Sequence, residues 1–165
     1  FEINIKFDEK IKKLFSEDLN YAIKNDYDDW QDSSEECLAL ILLLDQFSRN
    51  LYRNNPKAFA QDYKTRLIVN EAIDRGYLEE LNQNKIFFLL MPLIHSEDIS
   101  DHIFGHKLVD IYLKSFDHYN TIKKTWHDHT ILIKKYGRYP HRNIILRRES
   151  TVEEIDFLQK TNSAW

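Results

Sequence analysis

Three glycines and three prolines are all that punctuate 165 residues. Sandwiches and barrels of many strands rely on turns built from these residues roughly every 8–12 positions. The scarcity therefore points to long helices joined by short connections. Hydrophobic residues make up 42% of the chain, and helical periodicity orders them. That share is within reach of an ordinary globular core. The length suits one domain better than two, so we expect a single helical domain over 1–165. The longest apolar run, Leu38 to Leu44, is far short of the ~20 residues that span a bilayer, so it reads as core. The start at Phe1 rather than Met leads us to expect an element upstream, a leader sequence being one candidate. The end at Trp165 allows the same on that side.

Apolar periodicity predicts a first helix over 7–25 through Phe7, Ile11, Leu14, Phe15 and Ala22. Ser33 and Glu36 form a capping box that opens a second helix, running to about Arg53 and the most buried of all. Asn54-Asn-Pro56 ends it. A third helix is expected over 63–75, with Gly76 as a left-handed cap. Asn82 caps a fourth, which Pro92 kinks or ends. Ser96 or Asp98 starts a fifth, placing Ile99, Ile103, Val109 and Ile111 inside and reaching about Phe116. A sixth covers 121–136 and closes at Gly137. Residues 138–143 are expected to be extended around Pro140. Ser150 and Glu153 form a second capping box, opening a last helix through Leu158. The expectation is an all-α fold of about seven helices with antiparallel neighbours. No linker, low-complexity stretch or fixed-period repeat is visible.

Three polar segments interrupt this apolar pattern: Asp45-Gln-Phe-Ser-Arg-Asn50, His95-Ser-Glu-Asp98 and Tyr136-Gly-Arg-Tyr-Pro-His-Arg-Asn143. Polar groups beside core residues must be paired or they cost free energy. We therefore expect residues 42–50, 95–98 and 137–149 to converge. Asp45 with Arg49, and Gln46 with Asn50, sit one helical turn apart. Glu97 and Asp98 suit the first turn of a helix, and His95 is able to donate, accept or bind metal. Arg138, His141, Arg142, Asn143 and Arg148 are dense in donors, and arginine forks fit carboxylates and phosphates. Their internal candidates as partners are Asp45, Glu97, Asp98 and Glu149. We expect the loop from Arg138 to Asn143 to supply most of the specificity.

Other constellations read more plainly. Asp98, His102 and His106 share a helix face and are expected to be solvated rather than to hold a metal. His127-Asp128 lacks the further ligands of a metal phosphohydrolase. Cys37 is the sole cysteine, so no intrachain disulfide forms, and it reads as inert packing in a cytoplasmic protein. Gly76, Gly105 and Gly137 are too far apart for a dinucleotide fingerprint, and no nucleophile elbow is present. Phe87, Phe88, Phe104 and Tyr112 read as core, and Trp30 and Trp126 as packing anchors.

Several segments together carry a resemblance. Leu43-Leu-Asp-Gln-Phe-Ser-Arg-Asn50, Ala58-Phe-Ala60, His95-Ser-Glu-Asp98, Gly137-Arg-Tyr-Pro-His-Arg-Asn143 and Arg148-Glu-Ser-Thr151 resemble, in order, the bacterial family Domain of Unknown Function 924. The resemblance implies the stacked helix hairpins of the tetratricopeptide-repeat-like superfamily, and no activity. It adds His129, which matches the family's histidine, to the residues of interest. Ser48 stands at a usual proline, implying a smoother helix, and Arg147 stands at a usual glycine. Thr130-Ile131 replaces an Arg-Asp pair, and the family's opening Trp-Phe element is absent apart from Phe1.

These features favour a binding module for an anionic small molecule or peptide, needing no metal or cofactor. The residues expected to form it are Asp45, Gln46, Arg49, Asn50, His95, Glu97, Asp98, His129, Arg138, His141, Arg142, Asn143, Arg148 and Glu149. One alternative is an enzyme using His95 or His141 as acid and base. Another is a helical scaffold for a partner protein whose polar network is purely structural. A net charge of −4 disfavours nucleic acid, and no membrane association is expected.

Overall fold

The computed structural model describes residues 4–160. Phe1 and Trp165 lie outside the described residues. Nine α-helical segments and no strand are found among those residues. Seven of them have nine residues or more: α1 (Ile5–Ile23), α2 (Ser34–Leu42), α4 (Asp62–Asp74), α6 (Gln83–His95), α7 (Ile99–Tyr112), α8 (Tyr119–Tyr136) and α9 (Val152–Lys160). Two short ones, α3 (Ser48–Leu51) and α5 (Tyr77–Glu80), complete the set. The fold is all-α, as the sparse glycines and prolines predict. No described helix is long and apolar enough to cross a membrane.

The helix starts follow capping chemistry. Ser33 Oγ accepts from Glu36 N, and in return donates to the Glu36 carboxylate at 2.8 Å. Asn82 and Asp98 cap α6 and α7 through their side chains. Gly76 and Gly137 adopt φ of +80° and +67° where α4 and α8 end, a region that favours glycine. Arg147, at the usual glycine position, is held at φ +55°.

Three expectations need correction, and a further one is narrowed. The long second helix is not smooth: Leu43–Phe47 forms a π turn between α2 and α3. Ser48 therefore does not bring the smooth helix expected of it, and Asp45, within the turn, lies buried at 1% exposure. Of the two effects allowed for Pro92, ending the helix is excluded, since α6 runs on to His95. The segment after Gly137 is not extended: only Tyr139 is, and Pro140–Arg142 closes a tight 3₁₀ turn. The last capping box is shifted by one residue, since Thr151 and Glu154 exchange the bonds, with Thr151 N donating to Glu154 at 2.8 Å.

Leucines of α2 and α6, with Ile68, Val69 and Ala72 of α4, form the main core, which extends to Leu108 and Val109 of α7 and Trp126 of α8. Trp126 lies over Gly105, whose missing side chain makes room for the indole. α6, α7 and α8 are joined by short connections and fold back on one another in sequence. Ile103, Phe104 and Ile111 of α7 are not in the core; their face points to solvent. A smaller cluster of Leu132, Ile133 and Tyr139 carries the loop before α9. The polar centre lies between these two cores.

Candidate functional site

The three polar segments do converge. Arg148 forms a two-pronged pair with Glu97, Nη1 donating to Oε2 at 2.6 Å and Nη2 to Oε1 at 2.9 Å. Glu97 also accepts from Tyr139 N at 2.9 Å, and Arg148 Nε donates to the Asn143 side chain at 2.9 Å. Arg142 Nη2 donates to the His95 carbonyl at 2.9 Å. His95 Nδ1 lies 2.8 Å from Asp45 Oδ1. Residues 42–50, 95–98 and 137–149 thus meet through side chains separated by about fifty positions or fewer.

Asp45 is the innermost charge. Burial pushes its carboxyl up, but Arg49, 3.2 Å away, and the bonds from His95 and Gln46 outweigh that and hold it below the usual carboxylate range. His95 is lowered as well, but by a different cause. Burial lowers His95 below its usual value despite the nearby carboxylate. The imidazole is therefore neutral near pH 7, with Nδ1–H donating to Asp45. Its Nε2 has no hydrogen-bond partner among the described residues.

Asp62, at the start of α4, is a residue the sequence did not single out. It accepts Arg49 Nη1 at 2.9 Å and Nη2 at 3.2 Å, and Arg142 Nη1 at 3.3 Å. One carboxylate thus serves two guanidinium groups. Its position after Ala58-Phe-Ala60 was the available signal. Arg142 is sandwiched between the Phe59 and Tyr139 rings, 4.7 Å and 4.6 Å from their centres. Its side chain is 7% exposed, and its Nε has no partner. Burial and the neighbouring Arg49 charge lower its proton affinity, against the pull of Asp62 and Glu97.

Tyr139 is the hub of the second layer. Its hydroxyl donates to the Ile94 carbonyl, and the rings of His102, His129 and His141 surround it at 6.3, 5.8 and 5.4 Å. His129 Nδ1 donates to the Thr125 carbonyl at 2.8 Å. Burial pushes His129 and His141 down to about 4. His141 Nδ1 is buried without a partner.

Several expected site residues have other work. Arg138 pairs with Glu154 at 2.7 and 2.8 Å and with the Glu149 carbonyl at 2.8 Å, so it holds α9 rather than offering a free fork. Glu149 contributes that carbonyl, while Glu154, not foreseen from the sequence, supplies the charge. Asn143 is 1% exposed and bonds Ser150 and Glu154. Asn50 points away to α1, donating to Asp8 at 2.8 Å, because the π turn breaks its register with Gln46. Asp98 caps α7 through Ser100 N at 2.9 Å. The His102–His106 pair is not a solvated face: His102 is fully buried, and both rings meet the Thr130 hydroxyl, at 3.1 and 3.0 Å. No cluster of three metal-ligating side chains occurs among the described residues.

Two clefts share Arg66 and Glu97: one of about 490 Å³ toward Ile99 and Gly137, and one of about 360 Å³ at the junction of the Pro56–Phe59 turn, α4 and the α6 end, which holds Arg142 and His95. The working walls of the smaller cleft are Phe59, Asp62, Arg66, His95, Glu97 and Arg142. Arg66 reaches in from α4, donating to Ser96 Oγ at 2.9 Å and pairing with Asp101 at 2.9 Å. The volume of this smaller cleft is at the small end of ligand clefts.

The comparisons agree with this fold. The solved structure of a protein of unknown function, ATU0120 from Agrobacterium tumefaciens, is similar at a TM-score of 0.87 and 32% identity, covering 97% of this chain and 88% of that one. No curated protein matches. The family described as bacterial protein of unknown function, DUF924, matches residues 1–162. The chain belongs to the DUF924 family of bacterial proteins.

Proposed function

We propose that this protein binds a small anion, a carboxylate- or phosphate-bearing molecule or peptide end, in the cleft beside Arg142. One observation carries the reading. Arg142 is a buried guanidinium on the cleft wall with a shared carboxylate at 3.3 Å and an unpartnered Nε. A buried charge so weakly compensated is costly, and an incoming anion would repay part of that cost. Arg66 supplies further donors along the same wall. Arg138 and Arg148 of the loop segment are engaged in two-pronged pairs with Glu154 and Glu97, so the recognition element narrows from the whole loop to Arg142 and the α4 side of the cleft. The ring of Phe59 fixes the guanidinium, leaving little freedom to lose on binding.

The stacked-hairpin arrangement of the tetratricopeptide-like superfamily is the architecture in which we place this cleft, supported by the sequential packing of α6, α7 and α8. The single buried Cys37 suits a cytoplasmic setting.

The test is a thermal melt with inorganic phosphate, sulfate, a panel of carboxylates and nucleotides. An anion at about a hundred times its Kd stabilises by about 2.7 kcal/mol. For a domain this size that raises the midpoint by roughly 5–10 °C. Arg142→Lys keeps the charge but loses the fork, and should lose most of the shift. A parent protein whose melt no anion moves would end the proposal.

A further inference from the structure

We propose that Asp45 and His95 form a general-base pair that hydrolyses a small ester carrying a carboxylate. The inference rests on the anion site proposed above, which would hold the substrate's acid group. It adds a reaction and assigns each residue a part in it.

The geometry is that of an oriented base. Asp45 is fully buried and contacts one edge of the imidazole at 2.8 Å. That contact fixes the tautomer, placing the proton on Nδ1 and a lone pair on Nε2. The His95 side chain is 17% exposed and lines the cleft. Since Asp45 covers the Nδ1 edge, the exposed edge is the one that carries Nε2. Asp45 itself is held by Arg49 at 3.2 Å and by Gln46, and Arg49 is anchored in turn to Asp62 and the Ala58 carbonyl. The base is therefore supported by packed helices and not by a mobile loop. A π turn places Asp45 there, and such turns are frequent at functional sites.

The charges around the ring fit the task. Arg49 and Arg142 lie near His95, and both keep it from holding a proton. On the α7 and α8 side, His102 and His129 are themselves pushed toward the neutral form by burial. A neutral imidazole in this setting is able to accept a proton in the ordinary pH range. Ser96 is adjacent, but its Oγ accepts from Arg66 Nη1 at 2.9 Å and from Asp98 N at 3.0 Å. With those lone pairs engaged it is a poor nucleophile, so water is the attacking group.

The step balances without a cofactor. Water oxygen bonds to the ester carbonyl carbon while His95 Nε2 takes one of its protons. The carbonyl electron pair moves onto oxygen, where the positive field of Arg66 and Arg142 favours it. That pair then re-forms the carbonyl, the bond to the alcohol oxygen breaks, and Nε2 returns its proton to the departing alkoxide. The products are an acid and an alcohol.

The probes are 4-nitrophenyl hydrogen succinate, which carries a carboxylate, and neutral 4-nitrophenyl acetate. The parent should hydrolyse the succinate faster than buffer and favour it over the acetate. Its kcat should rise with pH as a single group loses its proton, below the range of a free histidine. His95→Gln keeps a donor for Asp45 and should lose on the order of a hundredfold in kcat, while keeping the melt shift with phosphate. Asp45 acts through His95 as a positioning residue, so Asp45→Asn should lower kcat and displace the pH profile with KM little changed. If phosphate shifts the parent's melt but neither ester is hydrolysed, or His95→Gln is as active as the parent, the base pair is refuted and the anion site stands. If there is neither shift nor hydrolysis, both fall. Should His95→Gln not fold, the parent alone decides: a kcat that does not fall as pH is lowered to the acid limit of the folded protein overturns the proposal.

Discussion

Replacing Glu154 with glutamine tests how the candidate loop is held. Glu154 is 1% exposed and accepts Arg138 Nε at 2.7 Å, Arg138 Nη2 at 2.8 Å, Asn143 Nδ2 at 3.2 Å and Thr151 N at 2.8 Å. Every one of these partners is a donor. A glutamine amide would offer one acceptor oxygen and turn an NH₂ group toward donors, so at least one contact becomes repulsive. Hydrogen bonds to a charged group are worth about 1.5–3 kcal/mol each in net terms. Arg138 is about a quarter exposed and regains water when released, which discounts its share. We expect a loss of about 2 kcal/mol at neutral pH, or roughly 4–8 °C in melting midpoint for a chain of this size.

The pH dependence makes that expectation sharper. The Arg138 bonds, opposed by burial and reinforced by Thr151 and Asn143, bring the Glu154 carboxyl from 4.5 down to about 2. A depressed carboxyl contributes stability above its unfolded pKa and loses it as pH falls through the folded one. The gap between parent and Glu154→Gln should therefore be complete above about 4.5 and close toward pH 2. Urea denaturation at a series of pH values measures it directly. A gap that stays constant down to the acid limit would show that the carboxylate's charge is irrelevant, and the account of the loop would be wrong.

Three further outcomes are expected. Gly105→Ala places a Cβ 2.2 Å from Trp126 Cζ2, against an indole that is 1% exposed; overpacking of this kind costs ~1–3 kcal/mol and should appear as a lower urea midpoint. Arg147→Gly relieves a left-handed residue at φ +55°, a strain of about 1–2 kcal/mol, against roughly 0.5–1 kcal/mol of added chain entropy, so the melt should rise slightly, and a fall would refute the strain argument. His129 and His141, held down near 4 by burial, favour the folded state only while neutral, so stability should fall as pH drops from about 6.5 toward 4, and His141→Phe should flatten that part of a pH–stability curve measured by calorimetry.

The helices were legible because their signals are local. Ser33, Asn82 and Asp98 cap with groups three residues away or fewer, and Gly76 and Gly137 state a backbone conformation by themselves. Where two local signals coincide, the sequence is degenerate. Ser150-Thr151 with Glu153-Glu154 permits two capping boxes one residue apart, and only the buried pairing of Glu154 with Arg138 selects the second. The convergence of the polar segments was legible by a different logic, since donors placed among apolar residues require acceptors somewhere. Which acceptor serves which donor was not legible, because that depends on register. The π turn moves Asp45 inward and Asn50 outward, undoing an i,i+4 reading of Gln46 and Asn50. Asp62 escaped notice for a related reason: a single aspartate at an ordinary helix start gives no sign that two distant arginines will meet on it. His102 shows the converse. Its i,i+4 spacing with His106 looks like a solvated stripe, yet the Ser96 carbonyl and Thr130 hydroxyl satisfy it inside the protein. Ser48 Oγ, Trp126 Nε1 and His141 Nδ1 are also without hydrogen-bond partners, but Arg142 Nε and the outer nitrogen of His95 belong to residues that line the cleft, and it is this coincidence of unsatisfied groups with open space, invisible in the sequence, that points toward a ligand.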